Sequence, residues 1–121
     1  MRKESSNTVK VYYPKFSREE IVSLMKKRIK ALSKMLPLKA VVLFGSYAEG
    51  RFTAASDIDI LIVYEGSRRK DVYKICWDTI NIPQAELHIY SSHEYDALKK
   101  SKSFFPSEID KKGIVIWGSI S

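Results

Sequence analysis

Val41–Val63 reads VVLFGSYAEGRFTAASDIDILIV, and its punctuation decides the fold. The apolar run Ala40–Phe44 is strand-length and breaks at Gly45-Ser46. Ten residues, Tyr47 to Ser56, separate that break from Asp57-Ile58-Asp59, which heads a second apolar run. Short apolar runs bounded by glycine and polar residues read as buried strands. The stretch therefore predicts a strand, a tight turn, a short helical crossover and a strand that opens on two carboxylates. Residues two apart on a strand share a face, so Asp57 and Asp59 leave one side while Ile58 and Ile60 leave the other.

Upstream, Ser17-Arg18-Glu19-Glu20 is a capping box, a serine hydroxyl and a glutamate satisfying each other's backbone amides. It opens a helix whose Ile21, Leu24, Met25, Ile29, Leu32 and Met35-Leu36 recur at three-and-four spacing, and Pro37 stops it. Lys26, Lys27, Lys30 and Lys34 lie off that stripe and read as a solvated face rather than a polyanion-binding ridge. Residues 1–8 read as a flexible terminus, and Val9–Tyr13 as a short strand ended by Pro14. Downstream, Arg69–Thr79 is expected to be helical, and Asn81-Ile82-Pro83 breaks it. Gln84–Tyr90 alternates, with Leu87 and Ile89 on one face and Glu86, His88 and Tyr90 on the other. Ser91–Glu94 is a second capping box, opening a helix to about Lys100. Phe104-Phe105-Pro106 is expected to dock on the core, and Ile114–Trp117 forms a last strand. With 121 residues, the chain (1–121) reads as a single α/β or α+β domain, one sheet with helices packed against it.

The chemistry concentrates in the opening stretch. Two carboxylates side by side repel unless a cation lies between them, and oxygen ligands favour a hard ion such as Mg²⁺ or Mn²⁺. An EF-hand is excluded, because Leu61 stands where a third ligand would be and no glycine follows. At Gly45-Ser46 the missing Cβ lets backbone approach a ligand, successive amides can cradle an anion, and the Ser46 hydroxyl can donate to a phosphate oxygen. An anion cradle facing a dicarboxylate is what a chelated nucleoside triphosphate uses. Two-metal phosphoryl chemistry asks for a further carboxylate. Glu86 supplies one if its face is the face of Asp57 and Asp59.

These motifs together, Gly45-Ser46, ten residues, then Asp57-Ile58-Asp59, resemble the signature of the DNA polymerase β-type nucleotidyltransferase superfamily. Phe44–Arg51 and Ser56–Val63 are similar to its minimal nucleotidyltransferase branch, the MNT or MntA-like proteins. The resemblance covers roughly Lys39 to Trp117, within a signature region 39–118. It implies a mixed sheet of about four strands flanked by helices, with Asp57, Asp59 and Glu86 as catalytic and metal-binding residues for two Mg²⁺ ions. Gly45 and Ser46 would grip the nucleotide phosphates. Glu86, where many relatives have aspartate, would be third ligand and base. The implied reaction moves a nucleoside monophosphate, AMP from ATP, to a hydroxyl of a partner protein. Larger members carry acceptor-binding domains for which this chain has no room. The implied partner is a HEPN-domain toxin neutralised by this chain as antitoxin, in a homodimer or a hetero-oligomer with the toxin.

Lesser candidates surround that set. Arg51, in the crossover, could reach a phosphate and is assigned to nucleotide binding. His88 could orient a carboxylate or stack on a base, although a structural histidine is the commoner case. His93 is expected at the surface. Arg68-Arg69-Lys70 form a basic cluster expected close enough to the site to attract nucleotide or RNA.

Composition bounds the alternatives. The hydrophobic fraction of 45% with 12% aromatics is that of a globular chain. No apolar run approaches the roughly 20 residues of a membrane span. Met1–Lys10 lacks the apolar core of a signal peptide, so a cytoplasmic protein is expected. Cys76 is the single cysteine, which rules out an internal disulfide and reads as a buried thiol. A formal charge of +7, from 21 Lys+Arg against 14 Asp+Glu, suits a polyanionic partner. It leaves two further readings: a small basic nucleic-acid binder, and a catalytically idle antitoxin that binds nucleotide and blocks its toxin by covering it. Charge alone does not call for two aspartates at that position, so the enzyme is the leading reading.

Overall fold

The computed structural model describes residues 17–50, 57–101, 109 and 111–119. Its elements run α1 (Arg18–Leu32), β1 (Leu38–Phe44), α2 (Ser46–Glu49), β2 (Ile58–Tyr64), α3 (Val72–Ile80), β3 (Ala85–Ser91), α4 (Ser92–Lys100) and β4 (Ile114–Gly118). The four strands form one sheet in the order β3-β2-β1-β4. β1 runs antiparallel to both β2 and β4, whereas β2 and β3 are parallel. The sheet is therefore mixed, as the resemblance implied. The parallel pair is joined through α3, the crossover a parallel connection requires.

Both capping boxes form. At α1 the Ser17 hydroxyl accepts from the Glu20 amide at 3.1 Å, and Glu20 Oε1 accepts from the Ser17 amide at 2.8 Å. At α4 the corresponding distances for Ser91 and Glu94 are 3.1 and 2.9 Å. α1 ends at Leu32, earlier than the apolar stripe suggested. Turn bonds carry the chain from there, with the amides of Met35 and Leu36 both donating to the Leu32 carbonyl. α3 begins at Val72 rather than Arg69. The Arg69 guanidinium instead holds the Asp71 carboxylate at 2.9 and 3.2 Å, and the Arg69 amide donates to the Tyr64 hydroxyl.

The sheet separates two apolar layers. On one face Ile21, Met25, Ile29 and Leu32 of α1, with Val72, Cys76 and Ile80 of α3, cover Val41, Leu43, Ile58, Ile60, Ile62 and Leu87. Arg28 ties the two helices together by donating to the Ile80 carbonyl at the end of α3. Cys76 is fully buried there, and burial pushes its thiol up to about 12. On the other face Tyr95 of α4, with Ile109, covers Ala40, Val42, Leu61 and Val63. Burial on both faces explains why β1 and β2 read as continuous apolar runs instead of alternating. Lys26, Lys27, Lys30, Lys34 and His93 are exposed, as expected. Among the described residues no helix is long and apolar enough to cross a membrane. The expectations for residues 1–8, Val9–Tyr13, Arg51 and Phe104–Pro106 lie outside the described residues.

Candidate active site

Among the described residues, Tyr95 of α4 and Ile109 cover the second face, and the carboxylates stand where β2 begins. β2 pairs with both neighbours where it begins: Asp59 lies opposite Phe44 of β1 and beside Glu86 of β3. The Ile58 amide donates to the Gln84 carbonyl at 2.9 Å, which anchors the start of this pairing. Strand alternation then sends Asp59, Glu86 and His88 to the same side, while Ile58, Ile60 and Leu87 go into the α1/α3 layer. The register thus produces the expected shared face for Glu86 and Asp59, but not for Asp57, which precedes β2.

Asp59 is held from two directions. Its Oδ1 lies 3.4 Å from His88 Nε2. Its Oδ2 lies against the backbone of Gly45, so closely that a Cβ at residue 45 would collide with it. Gly45 has φ 77° and ψ −156°, a conformation that side chains rarely adopt. Two independent constraints, backbone conformation and the Asp59 carboxylate, therefore require glycine at this turn. Ser46, half-buried, follows as the first residue of α2. Arg18 of α1 donates to the Ala48 carbonyl at 3.0 Å and fixes the turn from behind.

Glu86 is the most open member, its side chain 58% exposed against 22% for Asp59 and 26% for His88. Its carboxyl is raised above the ordinary glutamate range, first by a hydrogen bond with Asp59 and then by the Asp59 charge, with the His88 charge acting in the opposite sense. Two carboxylates this close share a proton or hold a cation between them. Donor atoms of Asp59, Glu86 and His88 all lie within 4.8 Å of one another. An oxygen-rich set of this kind suits a divalent cation. Asp57 is not one of that group. It is exposed, one residue ahead of β2, and acts on Glu86 only through its charge.

One expectation needs correction, and His88 is placed more closely than alternation alone could place it. It lies 3.4 Å from Asp59 and 3.9 Å from Glu86, with Phe44 edge-on to its ring at 5.0 Å. Its place on the face of Glu86 was readable from alternation, but its approach to Asp59 depends on the β2–β3 register. Arg68-Arg69-Lys70 do not neighbour the site. They follow the opposite end of β2, beyond Tyr64, roughly 16 Å along the strand from Asp59. There Arg68 pairs with Glu94 at 2.9 Å and Arg69 with Asp71.

Comparison with known proteins places this geometry. A candidate protein adenylyltransferase of Methanocaldococcus jannaschii is 41% identical over 46 residues, 38% of this chain and 46% of that protein, so the match spans less than half of the relative's length. A candidate nucleotidyltransferase from Sulfolobus solfataricus superposes with a TM-score of 0.55 at 21% identity, covering 84% of this chain and 83% of that one. A chain from the structure of tri-AMPylated Shewanella oneidensis HEPN toxin in complex with MNT antitoxin gives a TM-score of 0.50 at 17% identity, over 81% of this chain and 73% of that one. At such identities these two likenesses speak for the fold. The sequence profile described as nucleotidyltransferase domain matches residues 25–116, a span that runs from within α1 into β4 and takes in the Gly45 turn, Asp57, Asp59 and Glu86. This chain belongs to the nucleotidyltransferase domain family.

Proposed function

We propose that this protein transfers AMP from ATP to a hydroxyl of a partner protein, and that the partner is a HEPN-domain toxin for which this chain is the antitoxin. The observation that carries the reading is the row Phe44–Asp59–Glu86 with Gly45 folded against Asp59. It brings the glycine turn and paired carboxylates to one end of the sheet.

Each residue then has a task. The amides and hydroxyl at Gly45-Ser46 bind phosphate oxygens, with Arg51 as a further phosphate contact. Asp57, Asp59 and Glu86 hold divalent cations, with Mg²⁺ entering chelated to the nucleotide. When bound, the cations neutralise the triphosphate and favour attack at its α-phosphorus. Glu86 faces solvent, where an acceptor carried by another protein can reach it. A carboxylate in that position can take the proton of an acceptor hydroxyl. The acceptor oxygen forms the new bond to the α-phosphorus, its proton passes to the Glu86 carboxylate, and the bond to pyrophosphate breaks. Asp59, closed in by Gly45 and His88, keeps its orientation throughout. The use of ATP is in keeping with a cytoplasmic protein.

Incubation with Mg²⁺, ATP and a HEPN-domain partner, followed by intact-mass measurement, tests the reading. The expected outcome is a partner carrying added adenylyl groups, lost with Asp59→Asn. A partner left unmodified by the unaltered protein overturns it. Neutralisation that persists in a folded Asp57→Ala, Asp59→Ala double variant would point instead to inhibition by binding alone.

A further inference from the structure

The strand that carries Glu86 is an edge strand. The sheet order β3-β2-β1-β4 leaves one side of β3 without a neighbouring strand. In a parallel pair, alternate residues of a strand turn both amide and carbonyl to the neighbour, and the residues between turn theirs away. The Gln84 carbonyl accepts from the Ile58 amide, so Gln84, Glu86, His88 and Tyr90 serve β2 while Leu87 and Ile89 point outward. Among the described residues, the outward backbone groups of Leu87 and Ile89 have no hydrogen-bond partner. Edge strands are ordinarily blunted by lysine, proline, a bulge or shortness. β3 shows none of these: it runs seven residues, AELHIYS, in unbroken register with β2. The opposite edge, β4, has five residues, and its pairing with β1 shifts register between Val41 and Val42.

Two features lie along the bare edge, on opposite faces of β3. Near its start, Glu86 turns an exposed carboxylate to the side of Asp59. Near its end, Ile89 lines a cavity of about 290 Å³ together with Tyr64, Val72 and Tyr73. Tyr64 and Val72 belong to the α1/α3 layer, so the cavity opens on the other face. Arg68 and Lys70 line it as well. Arg68 is held by Glu94, whereas Lys70 has no ion pair among the described residues. A strand laid against β3 sends successive side chains to alternate faces. Its residues beside Glu86 and beside Ile89 are three positions apart, about 10 Å at strand rise, and face opposite sides.

We propose that the acceptor segment of the protein substrate binds as an added strand on the outer edge of β3. Its hydroxyl-bearing residue lies beside Glu86. A large apolar residue three positions away enters the cavity at Ile89, with an acidic neighbour facing Lys70. The backbone groups of Leu87 and Ile89 supply affinity, and the cavity sets the register. The inference rests on the reading of this chain as a transferase acting on a protein hydroxyl, and adds the conformation and side-chain pattern of the segment it modifies.

The test reads amide exchange by NMR in the full chain, alone and with a HEPN-domain partner. The Leu87 and Ile89 amides should exchange fast in the chain alone, and the partner should slow both at least about tenfold. Tyr73→Ala, at a position 51% exposed, should leave the fold intact. It should raise KM for the partner about tenfold, with kcat and Mg²⁺-ATP affinity changed less than about twofold. A bound or modified partner that leaves both amides exchanging fast overturns the proposal and leaves the transfer reading standing. An unchanged KM in Tyr73→Ala overturns it too. Slow exchange of both amides in the chain alone, through a second copy or another part of this chain, also overturns it. Protection of both amides by a partner that is never modified sustains strand addition and refutes transfer. A partner that neither binds nor is modified refutes both.

Discussion

Gly45→Ala tests how tightly the turn and the aspartate are interlocked. The added methyl meets two obstacles. Backbone at φ 77°, ψ −156° lies in a region open essentially to glycine, and forcing another residue into it costs of order 1–3 kcal/mol. The new Cβ also overlaps Asp59 Oδ2. The carboxylate must retreat by roughly 1 Å to restore ordinary contact, and a displacement of that size in a reacting group costs about 100-fold in rate. The expected result is a protein melting about 4–12 °C lower, at roughly 4 °C per kcal/mol for a domain of this size. At a temperature where it remains folded, its AMP transfer should be reduced about 100-fold. Gly50→Ala provides the control. Gly50 also has positive φ, at 76°, but among the described residues a Cβ there meets nothing nearer than Arg18 Nη1 at 3.8 Å. That variant should lose stability by about 1 kcal/mol and keep its specific activity. A Gly45→Ala protein that transfers AMP at the unaltered rate would refute the claim that the turn sets the position of Asp59. Equal loss of activity in both variants would show that strain alone, not displacement of the carboxylate, is responsible.

The Glu86 carboxyl, followed by carbon NMR in metal-free protein, should titrate above the ordinary glutamate range. Asp59→Asn removes the charge that raises it and should bring the midpoint down. An unmoved midpoint would dissociate the two groups. Glu94 shifts the other way: the Ser91 amide, foremost, and Arg68 hold its carboxyl below the ordinary range. A folded pKa below the unfolded one gives stability that is complete above the unfolded value and lost as pH falls through the folded value. Glu94→Gln should accordingly lower stability near neutrality, and the difference should vanish in acid. A pH-independent difference in denaturant midpoint would count against the capping role.

Local signals were legible where the chemistry is local. Ser17 with Glu20, and Ser91 with Glu94, announce helix starts because each box closes within three residues. The faces of Asp59 and Glu86 followed from strand period alone. The parallel pairing of β2 and β3 did not follow from periodicity, which assigns faces but not neighbours. Resemblance supplied the mixed sheet, and only the register showed that His88 reaches Asp59 across 29 positions of sequence. Arg68 and Arg69 were misplaced for a related reason. Closeness in sequence to β2 says nothing about which end of the strand a residue occupies, and a strand crosses the sheet from the site to its far edge. Asp57 marks a third limit: the same-face rule holds along a strand, but Asp57 lies just before β2 begins.

The parallel pairing of β2 with β3 also orders events in the life of the chain. β1 and β2 are consecutive strands and pair antiparallel, while β3 can join only after α3 has folded across the sheet. Contacts closed late across a crossover carry the larger entropy of loop closure. Asp59 therefore meets Glu86 and His88 after β1 and β2 have paired, not with them. A chain on the ribosome, or one caught with β3 undocked, has Asp57 and Asp59 without Glu86 beside them. On the proposed reading, catalytic competence certifies that β3 has docked.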